Sequence, residues 1–197
     1  CAGLDAAWRF FGGVPKRIVP DNMKTVVVTA HATNPLLNDG FRDYAEARGL
    51  FVDAARVRRP QDKARVENHV AFVRESWFDG ENFADLADAR RSAEQWCRDV
   101  AGGRVHGTTR RVPREHYEQD ELAHMQAPPR EPFDVPNWTD AKVHEDHHIQ
   151  VARALYSMPT RYIGRSVRVR ADRSTVRVYL GGELIKMHPR KQPGERS

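Results

Sequence analysis

Two carboxylates and one lysine are the side chains whose chemistry could be coupled: Asp21 in "RIVPDNMKT", and Lys63 and Glu67 in "RRPQDKARVENHV". Taken singly they are ordinary. Pro-Asp-Asn is turn chemistry, a helical glutamate is usually solvated, and Lys63 with Glu67 is an i, i+4 pair worth about 0.2–0.5 kcal/mol, in the less favourable order. Taken together they say more. A carboxylate at a strand end, a second projecting from a later helix and a cation beside it could hold Mg²⁺ against a phosphate. Magnesium prefers oxygen ligands, and two such ions about 3.5–4 Å apart stabilise the attacking and leaving oxygens of a phosphodiester exchange. By contrast, His106, His147 and His148 complete no ligand set.

The elements that must position these groups follow from periodicity. "LDAAWRFFGG" places Leu4, Ala7, Trp8 and Phe11 at helical spacing and stops on Gly12-Gly13. "RIVP" and "TVVVT" read as strands around the Asp21-Asn22 break, and "LFVDAARV" as another. Between them, Leu36, Phe41, Tyr44 and Ala45 could share one helix face, with Gly40 weakening it. Over residues 61–78 Val66, Val70, Val73 and Trp77 recur at i, i+4, i+7 and i+11, which predicts an amphipathic helix. Another helix is expected from Phe83 to Val100. Alternating strands and helices imply an α/β sheet, with functional groups beyond the carboxyl ends of its strands, where Asp21 would sit. Trp8, Trp77 and Trp96 fall on apolar faces and read as core.

Beyond residue 100 the character changes. "GGRVHGTTRRVPREHYEQDE" is polar, and prolines at 128, 129, 132 and 136 predict an extended, stiff stretch and a domain boundary. The end of the chain then alternates with period two. Val167 and Val169 stand against Arg168 and Arg170, and Val176, Val178 and Leu180 against Arg177 and Tyr179, with Gly181-Gly182 as the hairpin turn. With 147–156 this predicts a small β-barrel of four or five strands carrying an arginine-rich face. The expected division is 1–100, a 101–140 linker, a 141–190 barrel and a 191–197 tail.

Composition bounds the partner. The chain has 197 residues, a net charge of +5 and a pI near 9.5. Arginine's planar fork suits phosphate, so a polyanion is a plausible partner, although the excess is modest. Two distant cysteines, Cys1 and Cys97, make no disulfide framework and suit a reducing cytoplasm. No apolar run approaches the roughly 18 residues of a membrane span, so no membrane partner is expected. The opening Cys1, inside an amphipathic pattern, suggests a cut and not a natural start.

"FFGGVPKRIVPDNMKT", "RRPQDKARVENHV", "GRVHGTTRRVP" and "YSMPTRYIGRSVRVRADRSTVRVYLGGELIKMHPR", in that order, resemble the second half of the IstA-type insertion-sequence transposases, relatives of the retroviral integrases. The resemblance implies a ribonuclease-H-like core with an Asp, Asp, Glu triad, then a small β-barrel. Asp21 would be the second aspartate and Glu67 the glutamate, binding two Mg²⁺ ions that serve to cut transposon ends and join them to target DNA. It gives Asn22, Lys24, Lys63 and Arg65 to DNA contact, with Lys63 near the scissile phosphate. It further implies a homo-multimer on DNA, an ATPase helper and a place at the cytoplasmic nucleoid. Where relatives often carry glycine after the lysine, this chain has Ala64-Arg65. No residue ahead of Asp21 fits the first aspartate, since Asp5 belongs to the helix pattern. The expectation is therefore the C-terminal half of such a core, N-terminally truncated and inactive by itself. The alternative is a non-catalytic DNA-binding module that grips phosphates through Arg168, Arg170 and Arg177.

Overall fold

The computed structural model describes residues 1–20, 26–29, 36–53 and 70–197. The described residues up to 53 form short strands and two helices. Helix α1 (Ala2–Phe11) buries Trp8 and ends where Gly12 takes φ 72°, a conformation glycine adopts without a Cβ penalty. Strand β1 (Arg17–Ile18) follows, then β2 (Val27–Thr29), paired antiparallel with β3 (Leu36–Leu37). Helix α2 (Asp39–Arg48) buries Phe41, Tyr44 and Ala45, as the spacing predicts. Leu36, expected on the same face, lies instead on β3 and is exposed. Strand β4 (Phe51–Val52) then pairs parallel with β1.

Of the helix expected over 61–78, residues 70–78 are described. They are helical, widening into a π turn over Arg74–Phe78. Val70 is exposed, because the packed stripe there runs through Phe72 and Trp77, whose rings meet Trp96 at 5.3 and 6.4 Å. Helix α3 (Leu86–Trp96) starts three residues later than Phe83 because Asp85 caps it, accepting from the Asp88 amide at 2.7 Å. It continues as a π turn to Ala101.

The stretch expected as a helical and extended linker is partly helical. Pro113 opens helix α4 (Pro113–His116), and turns extend it to His124. Beyond that, Gln126 exchanges two backbone hydrogen bonds with Val14, at 2.9 and 2.8 Å. A Cβ built on Gly13 would come within 2.5 Å of Met125 Cβ, so this close approach requires glycine. The chain divides into two compact units: one of Ala2–Asn38 with Ala45–Pro132, the other of Asp39–Tyr44 and Phe133–Ser197 with Cys1.

In the second unit β5 (Asn137–Lys142), β8 (Ser166–Ala171), β9 (Thr175–Leu180) and β10 (Glu183–Pro189) form an antiparallel sheet, ordered β10-β9-β8-β5. The hairpin β6 (His148–Val151) and β7 (Ala154–Ser157) forms a separate two-stranded sheet in the same unit. The unit thus has six strands, in a four-stranded sheet and a separate hairpin, where a small barrel of four or five strands was expected. Residues 191–197, expected as a tail, run beside β7: Leu155 donates to Glu195 and Ser197 back to Leu155, each at 3.0 Å. Period-two alternation turns Val167, Val169, Ala171, Val176 and Val178 into the core with Ile149 and Tyr156. Gly181 and Gly182 form the β9–β10 turn, both at positive φ. The whole is a mixed helix and sheet chain with a small sheet-rich C-terminal region. Among the described residues no helix is long and apolar enough to cross a membrane.

Candidate functional site

Asp21, Asn22, Lys24, Lys63, Arg65 and Glu67 lie outside the described residues. What is described is the frame on either side of them. Ile18 of β1 and Val52 of β4 are register partners in a parallel pair, and the Asp53 amide donates to Ile18 O at 2.9 Å. Both strands therefore run out at the same edge, and Asp21 follows Ile18 by three positions in sequence. Asp53, at that edge, is paired with Arg17.

The arginine-rich face of the sheet is described in full, and carboxylates occupy most of it. Asp140, Arg168 and Tyr179 lie in one cross-strand row, and Trp138, Arg170, Arg177 and Met187 in the next. The first turns of α2 belong to the same unit. Asp39 pairs with Arg168, which also meets Asp140 at 3.0 Å. Asp43 Oδ2 accepts from Arg170 Nε at 2.7 Å and from Trp138 Nε1 at 3.1 Å. Arg170 Nη1 reaches Asp172 at 2.6 Å, and Arg42 pairs with Asp39 at 3.0 Å. Four carboxylates thus meet three guanidinium groups, and the row presents no uncompensated positive stripe. Arg177 has no ion-pair partner among the described residues.

These acidic partners were missed from the sequence, although a signal exists. Asp39 and Asp43 at i, i+4 are about 6 Å apart along a helix. Arg168 and Arg170 at i, i+2 are about 6.6 Å apart along a strand. A helix laid along a strand can therefore match Asp-x-x-x-Asp to Arg-x-Arg.

The network shifts its members' titration. Hydrogen bonds donated by Arg168 to Asp39 and Asp140 push its pKa further above the usual range. Burial works against the charge of Arg170, but Asp43 and Asp172 outweigh it and raise its pKa. Asp172 is likewise opposed by burial, yet bonds from the Thr175 amide and hydroxyl, the Ser174 amide and Arg170 hold it at about 2. A carboxyl depressed in the folded state contributes stability above its unfolded pKa, near 3.8, and loses it as pH falls toward 2. The contribution is about 2 kcal/mol. Thermal unfolding followed from pH 6 to 2.5 should show Asp172→Asn less stable at pH 6 and with a flatter acid limb than the parent; parallel curves would exclude this role for Asp172.

Similarity to known proteins extends over nearly the whole chain. Residues 127–196 match the family described as Mu transposase, C-terminal domain. Over 98% of its length the chain is 34% identical to a putative transposase of Mycobacterium tuberculosis, covering 48% of that protein. Over 94% it is 35% identical to a putative transposase of Sinorhizobium fredii, covering 37%. Over 94% it is also 28% identical to the transposase for insertion sequence element IS21 of Pseudomonas aeruginosa, covering 48%. The homologues of this chain are IS21-type (IstA-type) insertion-sequence transposases. The chain spans less than half the length of each of these relatives.

Within the chain the basic excess is localised. Residues 133–197 carry twelve Lys or Arg against seven Asp or Glu, a net +5 that equals that of the whole chain. The sheet-rich unit therefore holds the charge a polyanion would meet, although Arg168 and Arg170 are not where it stands uncompensated.

Proposed function

We propose that this chain supplies the carboxyl-terminal part of a ribonuclease-H-like strand-transfer core and its adjoining DNA-contacting barrel. The reaction is the Mg²⁺-dependent cutting of transposon ends and their joining to target DNA. The observation that carries this is relatedness to transposases over nearly the whole chain, at 34% and 35% identity. The parallel pair β1–β4 supports it, since functional groups of such sheets gather beyond the strands' carboxyl ends. Asp21 and Glu67 form an oxygen-only donor pair, which suits Mg²⁺. When bound, the ions would polarise the scissile phosphate and steady the charge on the attacking and leaving oxygens. Around them Asn22, Lys24, Lys63 and Arg65 would orient the DNA backbone, with Lys63 nearest the scissile phosphate.

The partners implied are transposon ends, target DNA, further copies of the transposase on that DNA and an ATPase helper, at the nucleoid. In a transposase carrying this sequence, Glu67→Gln should reduce strand joining roughly a thousandfold while duplex binding persists. Undiminished joining in Mg²⁺ would overturn the assignment. A second reading, a DNA-gripping module without chemistry, is favoured by the gathering of the whole +5 in residues 133–197.

A further inference from the structure

We infer that the polyanion-contacting surface of the sheet-rich unit is the corner bearing Lys142, Arg161 and Arg165, and not the outward face of the sheet; this rests on the DNA reading above. The corner joins the end of β5 to the start of β8. Lys142 is in register with Ser166, the Val143 amide donates to Arg165 O and the Gly164 amide to Val143 O, both at 2.9 Å. The Arg165 amide closes onto Tyr162 O at 3.0 Å, and Gly164 turns the chain at φ 78°. Arg161 lies over the Tyr162 ring at 4.9 Å, and Tyr162 packs against the core.

All three cations are exposed, and none forms an ion pair among the described residues. The nearby carboxylates are Asp140, which is held by Arg168, Asp146, which serves His148, and Glu145 on the following turn. On the outward face the balance is reversed. A phosphate approaching Arg168 or Arg170 would have to displace Asp39 or Asp43 and would meet Asp140 or Asp172 as well. A corner fixed by backbone hydrogen bonds costs little ordering when phosphates bind, and its cations have no carboxylate to give up.

The test is a salt titration of the 197-residue chain on a 20-base-pair duplex of arbitrary sequence, read by fluorescence anisotropy. The triple variant Lys142→Gln, Arg161→Gln, Arg165→Gln should flatten the log–log salt slope by about 2.7, or roughly 0.9 for each lost contact, with the melting temperature unchanged. Arg177→Gln and Arg168→Gln should leave the slope as it was. An unchanged slope in the triple variant, or a slope flattened instead by the sheet-face variants, overturns the inference while leaving DNA binding intact. A parent chain that binds no duplex at any salt overturns the DNA reading itself, and the inference with it.

Discussion

Asp5→Ala should destabilise the helical unit by about 3–5 kcal/mol, the cost of leaving a buried charge without its partner. Asp5 is 1% exposed, on the inner face of α1, and takes both donors of a fork: Arg48 Nε to Oδ1 and Nη2 to Oδ2, each at 3.0 Å. The same guanidinium donates to Glu131 O at 2.9 Å, so one side chain ties α1, the end of α2 and the Pro-rich stretch together. Removing the carboxylate takes both acceptors of the fork from a cation whose side chain is only 14% exposed. Chemical denaturation followed by circular dichroism checks the value, and a loss below about 1 kcal/mol would show that the pair is solvated in effect. The double variant Asp5→Leu, Arg48→Met should recover part of the loss, because well-packed apolar side chains can replace a buried ion pair at little net cost.

Arg170→Ala should cost the sheet-rich unit about 3 kcal/mol, and Arg168→Ala no more than about 1 kcal/mol. The two arginines are neighbours on one strand and each meets two carboxylates, so the contrast isolates burial. Arg170 and its partners Asp43 and Asp172 are 14%, 13% and 13% exposed, whereas Arg168 is 41% exposed. Without Arg170, Asp43 keeps only the Trp138 indole among the contacts described above, and Asp172 keeps Thr175 and Ser174. Equal losses on thermal melting at neutral pH would mean that desolvation does not distinguish the two sites.

The distinction also bears on function. A guanidinium holding two buried carboxylates secures the first turns of α2 to the sheet. It can contact DNA only by breaking that attachment, which separates the sheet-face arginines from the three exposed cations at the corner.

Much of the secondary structure was legible in the residues. Trp8, Phe41, Tyr44 and Ala45 repeat at helical spacing and are buried, and Val167, Val169, Val176 and Val178 alternate and are buried. Gly12 and Gly181-Gly182 mark stops and turns where the backbone takes positive φ. Periodicity reports which side of an element avoids water, and these segments have one such side. The polar run from Arg104 to His124 has no apolar period, so the helical part of the expected helical and extended linker could not be placed within it, although Pro113 supplies an N1 signal.

The sequence by itself pointed to insertion-sequence transposases, through four motifs in order, and carried the alternation that builds the sheet-rich unit. It also determined which carboxylates, Asp21 and Glu67, are the proposed metal ligands. Only the tertiary structure decided that Asp5 turns inward to Arg48, and that Arg168 and Arg170 meet carboxylates 129 and 127 positions away. The reason is physical. A hydrophobic period is a local property of one element, repeated along it and readable there. An ion pair depends on the distance between two elements and on the water excluded between them, and neither is written in the spacing of either partner.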